Sequence, residues 1–266
     1  MKTMPRRARF AAAVLPVLFV ASAGCDIAMA DFKQKETAEW RKTYDLQPGG
    51  HVEISNINGK IDVQPSQGNA VEVVAVKTAR GASSDAAKDA LGRIEIQETV
   101  SPGDVRIQTR MQRGSSLFTG GNSQVEYTVR VPAGADVKFS TVNGGIEVSG
   151  LKGQMTLETT NGGIKALNVS GTVEASTTNG GVDVDLAQMA DGGVKLGCTN
   201  GGIRLRLPNG VKATISARIV NGGIDTSGLQ LDASENSRRR LEGRINGGGP
   251  RIDIEGVNGG IRISGR

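Results

Sequence analysis

The chain of 266 residues contains one histidine, two cysteines and only 3% aromatic residues. A zinc site built from several histidines is therefore excluded, and a catalytic triad could use only His51. His51 follows a Gly-Gly turn and begins a predicted strand, so we expect it at an exposed strand end. The shortage of aromatic residues also removes the usual stacking platform for sugars or nucleic-acid bases.

The two cysteines, Cys25 and Cys198, have different surroundings in the sequence. If Cys25 is lipidated or removed during export, Cys198 remains alone and no intrachain disulfide can form. Cys198 lies two residues before an Asn-Gly-Gly phrase, where other copies of the phrase have Thr141, Thr159 and Thr177. We expect a small, inward-facing side chain at this position rather than a reactive thiol.

Residues 1–30 have the pattern of an export signal, in which a basic head precedes an apolar segment from Phe10 to Ala23. This segment is shorter than the ~20 residues that a permanent membrane anchor needs. Two processing sites remain open. Cleavage after Ala30 would follow an Ala-x-Ala pattern, whereas lipidation of Cys25 would follow a sequence that resembles a bacterial lipobox. Cys25 directly ends the apolar segment, which slightly favours the lipoprotein.

The net charge of +5 belongs largely to this signal. Without residues 1–30 the chain keeps 28 basic and 26 acidic residues, a net charge of +2. So small an excess does not indicate the basic surface that nucleic-acid binding requires. We therefore expect no nucleic-acid partner, and a membrane contact only through a lipid on Cys25.

One phrase, Asn-Gly-Gly followed by Ile or Val, recurs through the second half of the chain. The first five copies are 18, 18, 21 and 21 residues apart, and such a period indicates one structural unit stacked on itself. Asn-Gly tolerates positive φ, so each copy predicts a tight corner. A weaker copy begins at Asn246. The corner asparagines are Asn143, Asn161, Asn179, Asn200, Asn221 and Asn258.

Apolar and polar residues alternate after each corner, which predicts strands with one buried face. The pattern favours an all-β chain that forms a parallel β-solenoid with rungs of 18–21 residues. An antiparallel meander of hairpins is the alternative, but hairpins do not require identical corners at a constant spacing.

The outward residue that follows the Ile or Val of each corner alternates in charge along the repeats. In a parallel solenoid these side chains would lie about 4.8 Å apart, where opposite charges attract modestly. The sequence therefore predicts a charge ladder. Its members are Glu147, Lys165, Asp183, Arg204 and Asp225.

The remaining chain divides into an irregular β region at 31–135 and the solenoid repeats at 136–266, which form one continuous domain. We expect the first region to cap the open end of the solenoid, and to contain the one short helix, from Ser83 to Leu91. The polar, Gly-rich stretch 112–123 predicts a loop. An insertion at 230–241 would explain the irregular late spacing, with its Arg triplet on a solvated loop.

No motif in the chain indicates catalysis, a cofactor or a metal. The glycine phrases lack the Lys-Ser/Thr of a phosphate loop and the Asp of a calcium-binding repeat. Asp183 and Asp185 are the best carboxylate pair for a polysaccharide-active enzyme, but their expected basic neighbours would keep both ionised. We therefore expect a non-enzyme.

The recurring Asn-Gly-Gly-Ile/Val units, the segment Val129-Arg130-Val131-Pro132-Ala133-Gly134 and the export signal resemble those of bacterial envelope proteins grouped as putative adhesins. The resemblance covers roughly residues 40–266. It implies a β-solenoid fold and a non-catalytic role at the surface or in the periplasm, with an unidentified protein or glycan ligand. A polysaccharide-active enzyme and an envelope sensor or accessory protein remain the alternatives.

Overall fold

The computed structural model describes residues 34–112 and 123–266, which form seventeen strands and one helix. The prediction of an all-β chain is confirmed, while the predicted export signal and most of the predicted loop lie outside the described residues. The helix α1 (Ser84–Gly92) begins after Ser83, whose side-chain oxygen accepts a hydrogen bond from the backbone N–H of Ala86. The strands are β1 (Gln34–Asp45), β2 (His51–Ser55), β3 (Ile61–Pro65), β4 (Ala70–Gly81), β5 (Ile94–Ser101), β6 (Asp104–Met111), β7 (Gln124–Val131), β8 (Asp136–Asn143), β9 (Ile146–Ser149), β10 (Met155–Asn161), β11 (Ile164–Asn179), β12 (Val182–Asn200), β13 (Ile203–Leu207), β14 (Ala213–Ser227), β15 (Leu231–Asn236), β16 (Arg240–Ile245) and β17 (Arg251–Gly265).

Successive repeats pair as parallel strands in register, which is the arrangement of a β-solenoid and not of a hairpin meander. Met155 of β10 lies opposite Val173 of β11, and Val173 lies opposite Val194 of β12. Equivalent residues of neighbouring repeats are thus neighbours in space. Antiparallel pairs occur at the two ends of the stack, where β1, β4 and β7 pair in that order and β14, β16 and β15 do the same.

The strand segments form two faces that meet at the glycine corners. We call the face made by the segments before the corner the first face, with the order β5, β6, β2, β8, β10, β11, β12, β17, β14, β16 and β15. The second face contains the segments after the corner, in the order β1, β4, β7, β3, β9, β11, β12, β13, β17 and β14. Long strands such as β11 and β17 contribute to both faces.

The order of the rungs differs from the order of the sequence at one place. Strand β17 lies between β12 and β14 on the first face, and between β13 and β14 on the second. The hairpin β15–β16 explains this, because β16 pairs antiparallel with β14 and occupies its outer edge. The chain can then return only along the inner edge of β14.

The predicted insertion at 230–241 forms much of this hairpin, and Arg238 and Arg239 lie in its exposed turn. The carbonyls of Arg238 and Arg239 in its turn accept hydrogen bonds from the backbone N–H groups of Ile224 and Ile219. The weaker phrase at Asn246 forms a separate turn, in which the Asn246 side chain donates to Val211 O.

The core is a stack of small and branched apolar side chains between the two faces. The Ile or Val that follows the corner is almost fully buried in five rungs and only half-buried in the last, at Ile224. Cys198 occupies the inward position predicted for it and is buried. Its thiol donates to Gly180 O at 3.1 Å, as the hydroxyls of Thr159 and Thr177 donate to the corresponding glycine carbonyls at 2.9 Å. Burial raises the pKa of the Cys198 thiol, which is typical of a structural cysteine.

The two glycines of each corner have different roles. The first has φ between +141° and +159° in most corners, and a Cβ on Gly259 would lie 1.8 Å from Gly201 O. The second lies outside the left-handed region, and a Cβ on Gly260 would meet its nearest neighbour at 3.9 Å. Backbone contact between rungs therefore requires the first glycine and not the second.

We predict that Gly259→Ala lowers the free energy of unfolding by at least ~3 kcal/mol, because it adds both left-handed strain and a backbone clash. The matched change Gly260→Ala is expected to stay within ~0.5 kcal/mol of the parent. Urea denaturation of both variants measures the difference, and equal effects would contradict the close approach of the corners.

Candidate binding surface

The corner asparagines form one continuous ladder along the stack. From Asn143 onward, each side-chain amide donates from Nδ2 to Oδ1 of the preceding asparagine in the stack, at 2.7–2.9 Å. Asn58 starts the ladder, and its own Nδ2 donates to Ser123 O. In spatial order the ladder contains Asn58, Asn143, Asn161, Asn179, Asn200, Asn258 and Asn221.

The structure corrects one step of the predicted charge ladder. The first four residues, from Glu147 to Arg204, follow one another in register on the second face. Asp225 does not follow Arg204, because Arg262 of the inserted strand β17 lies between them. The full column reads Asp62, Glu147, Lys165, Asp183, Arg204, Arg262 and Asp225.

Asp183 and Asp185, the carboxylates considered for catalysis, are both held in ion pairs. Asp183 lies 3.0 Å from a guanidinium nitrogen of Arg204 and 3.1 Å from one of Arg206. Asp185 contacts Arg206 at 3.8 Å and also pairs with Arg266. Both carboxylates are thus engaged by arginine side chains, unlike the free acid–base pair of a glycoside-cleaving site.

A second charge column on the first face escaped the sequence analysis. Apart from Arg106, its residues lie five positions before an asparagine of the ladder, and Thr156 interrupts their alternation, which hides the pattern. Ion pairs link Glu53 to Arg106 at 3.8 Å and to Lys138 at 3.7 Å, and Lys195 to Glu174 at 2.8 Å. The column contains Arg106, Glu53, Lys138, Thr156, Glu174, Lys195 and Asp253.

In two places carboxylates that meet in register are bridged by a basic side chain. Asp62 and Glu147 are neighbours, and Lys60 Nζ lies 2.8 Å from one carboxylate and 3.0 Å from the other. Hydrogen bonds to Asp62 and then to Glu147 raise the pKa of Lys60. In the hairpin, Arg240 lies in the same way between Glu235 and Glu242. The repulsion expected between stacked carboxylates is thereby offset.

A groove runs along the stack between the asparagine ladder and the charge column of the second face. Its volume is about 520 Å³. We call it the corner groove. Glycines form its floor because the second residue of each corner has no side chain, and charged side chains form one wall. The lining includes Gly163, Gly181, Gly202, Gly260, Lys165, Asp183, Arg204, Asp225 and Arg262.

The structure also places the other candidate groups considered in the sequence. His51 begins β2 and is half-buried rather than exposed as expected. Within residues 34–112 and 123–266 no group of three or more His, Cys, Asp or Glu side chains could hold a metal ion. In the same residues, no helix has the length and apolar character needed to cross a membrane.

We predict that Lys60→Met lowers the free energy of unfolding by ~1 kcal/mol, because it leaves Asp62 and Glu147 in unbridged contact. In a Glu147→Gln background the same change is expected to cost less than half as much. Urea denaturation of the four proteins completes the cycle. Lys152→Met, which removes an exposed lysine without an ion pair in the described chain, serves as the control; an equal loss there would contradict the bridging role.

Comparison with solved structures finds similar chains at low sequence identity. A putative cell adhesion protein from Clostridium sporogenes is 13% identical, with 86% of this chain and 100% of that chain covered and a TM-score of 0.43. A putative adhesin from Bacteroides fragilis is 11% identical, with 86% and 97% covered and a TM-score of 0.37. A putative adhesin from Parabacteroides merdae is 9% identical, with 86% and 96% covered and a TM-score of 0.30. No curated protein sequence matches the chain.

The family model described as Toastrack DUF4097 matches residues 42–264, which is most of the chain. The match includes all the corner asparagines and both charge columns. It agrees with the β-solenoid-like fold described above. The chain belongs to the Toastrack DUF4097 family.

Proposed function

We propose that the chain is an exported, non-catalytic binding module of the cell envelope, an adhesin or a scaffold that contacts its ligand along the sides of the stack. One observation carries the proposal. The asparagine ladder joins seven rungs through side-chain hydrogen bonds, and the charge columns lie in the same register. A rigid surface with regularly repeated polar groups suits a long ligand that makes many weak contacts.

The alternative of a polysaccharide-active enzyme is less well supported. Asp183 and Asp185 are engaged by Arg204, Arg206 and Arg266, so the carboxylates that the enzyme would use are already neutralised by protein. No specific contact favours a sensor or accessory protein over a binding module.

The proposal includes the arrangement of the whole chain. Residues 1–30 export the protein, the region 31–135 caps the first rung, and rungs of 18–21 residues form the binding stack. The location is the cell envelope, with a lipid on Cys25 as the anchor. The ligand is a protein or glycan of the envelope or of a facing surface.

We predict that purified protein from residue 31 onward sediments with isolated bacterial envelopes and releases no reducing ends from envelope polysaccharides. The physical reason is that the faces offer repeated contacts but no free acid–base pair. The Asp183→Asn/Asp185→Asn variant provides the control for chemistry. Polymer cleavage by the parent that disappears in this variant would replace the binding proposal with the enzymatic one, and failure to sediment with any envelope fraction would remove the proposal.

We predict that full-length protein expressed in a bacterial host carries a diacylglyceryl group on Cys25 and fractionates with membranes. Cys25→Ala is then expected to shift the protein to the soluble exported fraction, because one anchor is lost and the stack itself carries no comparable apolar surface. Mass spectrometry of the mature N-terminus identifies the product. A mature chain beginning at Asp31 would show cleavage after Ala30 and a protein without this anchor.

A further inference from the structure

The arginines Arg204 and Arg262 form an unbridged contact of like charges in the corner groove. They lie opposite each other on the parallel strands β13 and β17, which places their backbones about 4.8 Å apart. Arg204 turns towards Asp183, at 3.0 Å, on the side away from Arg262. Arg262 has no carboxylate within 4 Å in residues 34–112 or 123–266, although Asp225 is its register neighbour. Both guanidinium groups are exposed.

This contact departs from the arrangement at the other stacked charges described above. Lys60 bridges the carboxylates of Asp62 and Glu147, and Arg240 bridges those of Glu235 and Glu242. An equivalent bridge between Arg204 and Arg262 requires a negative group. Since the described part of the chain does not place one there, the position is open to an anion from outside.

The floor of the groove adds backbone donors to the two guanidinium groups. Gly163, Gly181 and Gly202 line the groove, and within the described residues no protein acceptor lies in hydrogen-bond geometry with their N–H groups. Neighbouring corner amides are engaged differently, since Gly162 N–H donates to Asn179 O and Ile164 N–H to Gly181 O. Asp183 and Asp225 also line the groove, so its wall is of mixed charge. Backbone amides without a protein acceptor beside guanidinium groups are nevertheless a common arrangement for binding oxyanions.

We propose that the corner groove binds a phosphate group, which bridges Arg204 and Arg262 and accepts hydrogen bonds from the glycine floor. A phosphate suits the site better than a carboxylate because it has more acceptor oxygens and can engage two guanidinium forks at once. The groove passes Gly163, Gly181, Gly202 and Gly260, four rungs that span about 14 Å at the usual strand spacing. A chain that carries several phosphates fits this length, and a single free phosphate fits the arginine pair alone.

This inference names a ligand chemistry for the binding function proposed above, and rests on it only for the assumption that the ligand belongs to the envelope. The test uses the parent protein and a double variant, Arg204→Gln/Arg262→Gln. The matched control is Arg110→Gln/Arg130→Gln, which removes the same charge at two exposed arginines that are distant along the chain and do not line the groove. Long-chain inorganic polyphosphate and orthophosphate are the two probes, compared at equal phosphate and constant ionic strength.

We predict that polyphosphate binds the parent and the control with similar affinity in calorimetric titration, and binds the groove variant at least tenfold more weakly. Equal binding by all three proteins, or equal loss in both variants, would show general charge attraction and overturn the site. If orthophosphate binds the parent as tightly as polyphosphate does, and this binding is lost only in the groove variant, the result supports the site and identifies a single phosphate as the ligand. No binding of either probe to the parent also overturns it.

A single variant guards against a folding defect. Arg262→Gln removes an exposed side chain without an ion pair in the described chain, so its thermal unfolding midpoint without phosphate is expected to equal or exceed that of the parent. The rise in midpoint caused by polyphosphate should be lost. If the groove variant binds polyphosphate as the parent does and still sediments with envelopes, the phosphate site is wrong and the binding function stands. If the parent binds polyphosphate through these arginines but no envelope fraction, the site stands and the proposed function is wrong.

Discussion

The close approach of one corner backbone to the next fixes the register of the entire stack. At the first glycine of a corner, a Cβ would lie about 2 Å from a carbonyl of the neighbouring rung, as at Gly180 and Gly201. No other residue allows this contact, and a shift of one position would place a side chain in it. These corners align three other features. They are the asparagine ladder, the hydrogen bonds that the threonine hydroxyls and the Cys198 thiol donate to glycine carbonyls, and the charge columns. Close packing between rungs, more than the turn itself, therefore requires glycine at this position.

An exact register has an electrostatic consequence. The nearest neighbours of every outward side chain are the equivalent side chains of the adjacent rungs. The effect of a charged residue on stability therefore depends on the charges at the equivalent positions. Most contacts are favourable, as between Glu174 and Lys195. Where carboxylates meet, Lys60 and Arg240 bridge them. Such a surface is close to neutral overall and yet strongly patterned, and the contact of Arg204 with Arg262 is one of its unbridged positions.

Much of the local structure could be predicted from the sequence because equivalent residues recur at a readable interval. The corners, the parallel pairing, the helix cap at Ser83 and the inward position of Cys198 each follow from a pattern within about 20 residues. The place of Arg262 could not be predicted in this way. Periodicity identifies which residues are equivalent, but it does not state the order in which the rungs lie.

The same limit explains why the groove was not anticipated. Its wall joins Arg204 with Arg262, which are 58 residues apart in the chain, and its floor depends on glycines that read as simple turn residues. The sequence does contain a hint in retrospect. Only the first glycine of each corner is needed by the backbone, so the regular second glycine already indicated an open space beside the ladder.

Strand β17 is synthesised after β14 but lies between β14 and the earlier rungs in the folded protein. The order of synthesis therefore differs from the order of the rungs in the stack. Strand β14 leaves the ribosome before β17, and pairing of its inner edge with the rung of Asn200 would place Asp225 opposite Arg204. That early pairing would satisfy the corner and the charges, yet it must open to admit a later strand whose Ile252, Ile254, Ile261 and Ile263 complete the core. Long-range pairing of this kind slows folding. A protein of this architecture consequently depends on delaying the closure of its last rungs until the inserted strand is available, a demand that a stack built strictly in sequence order would not face.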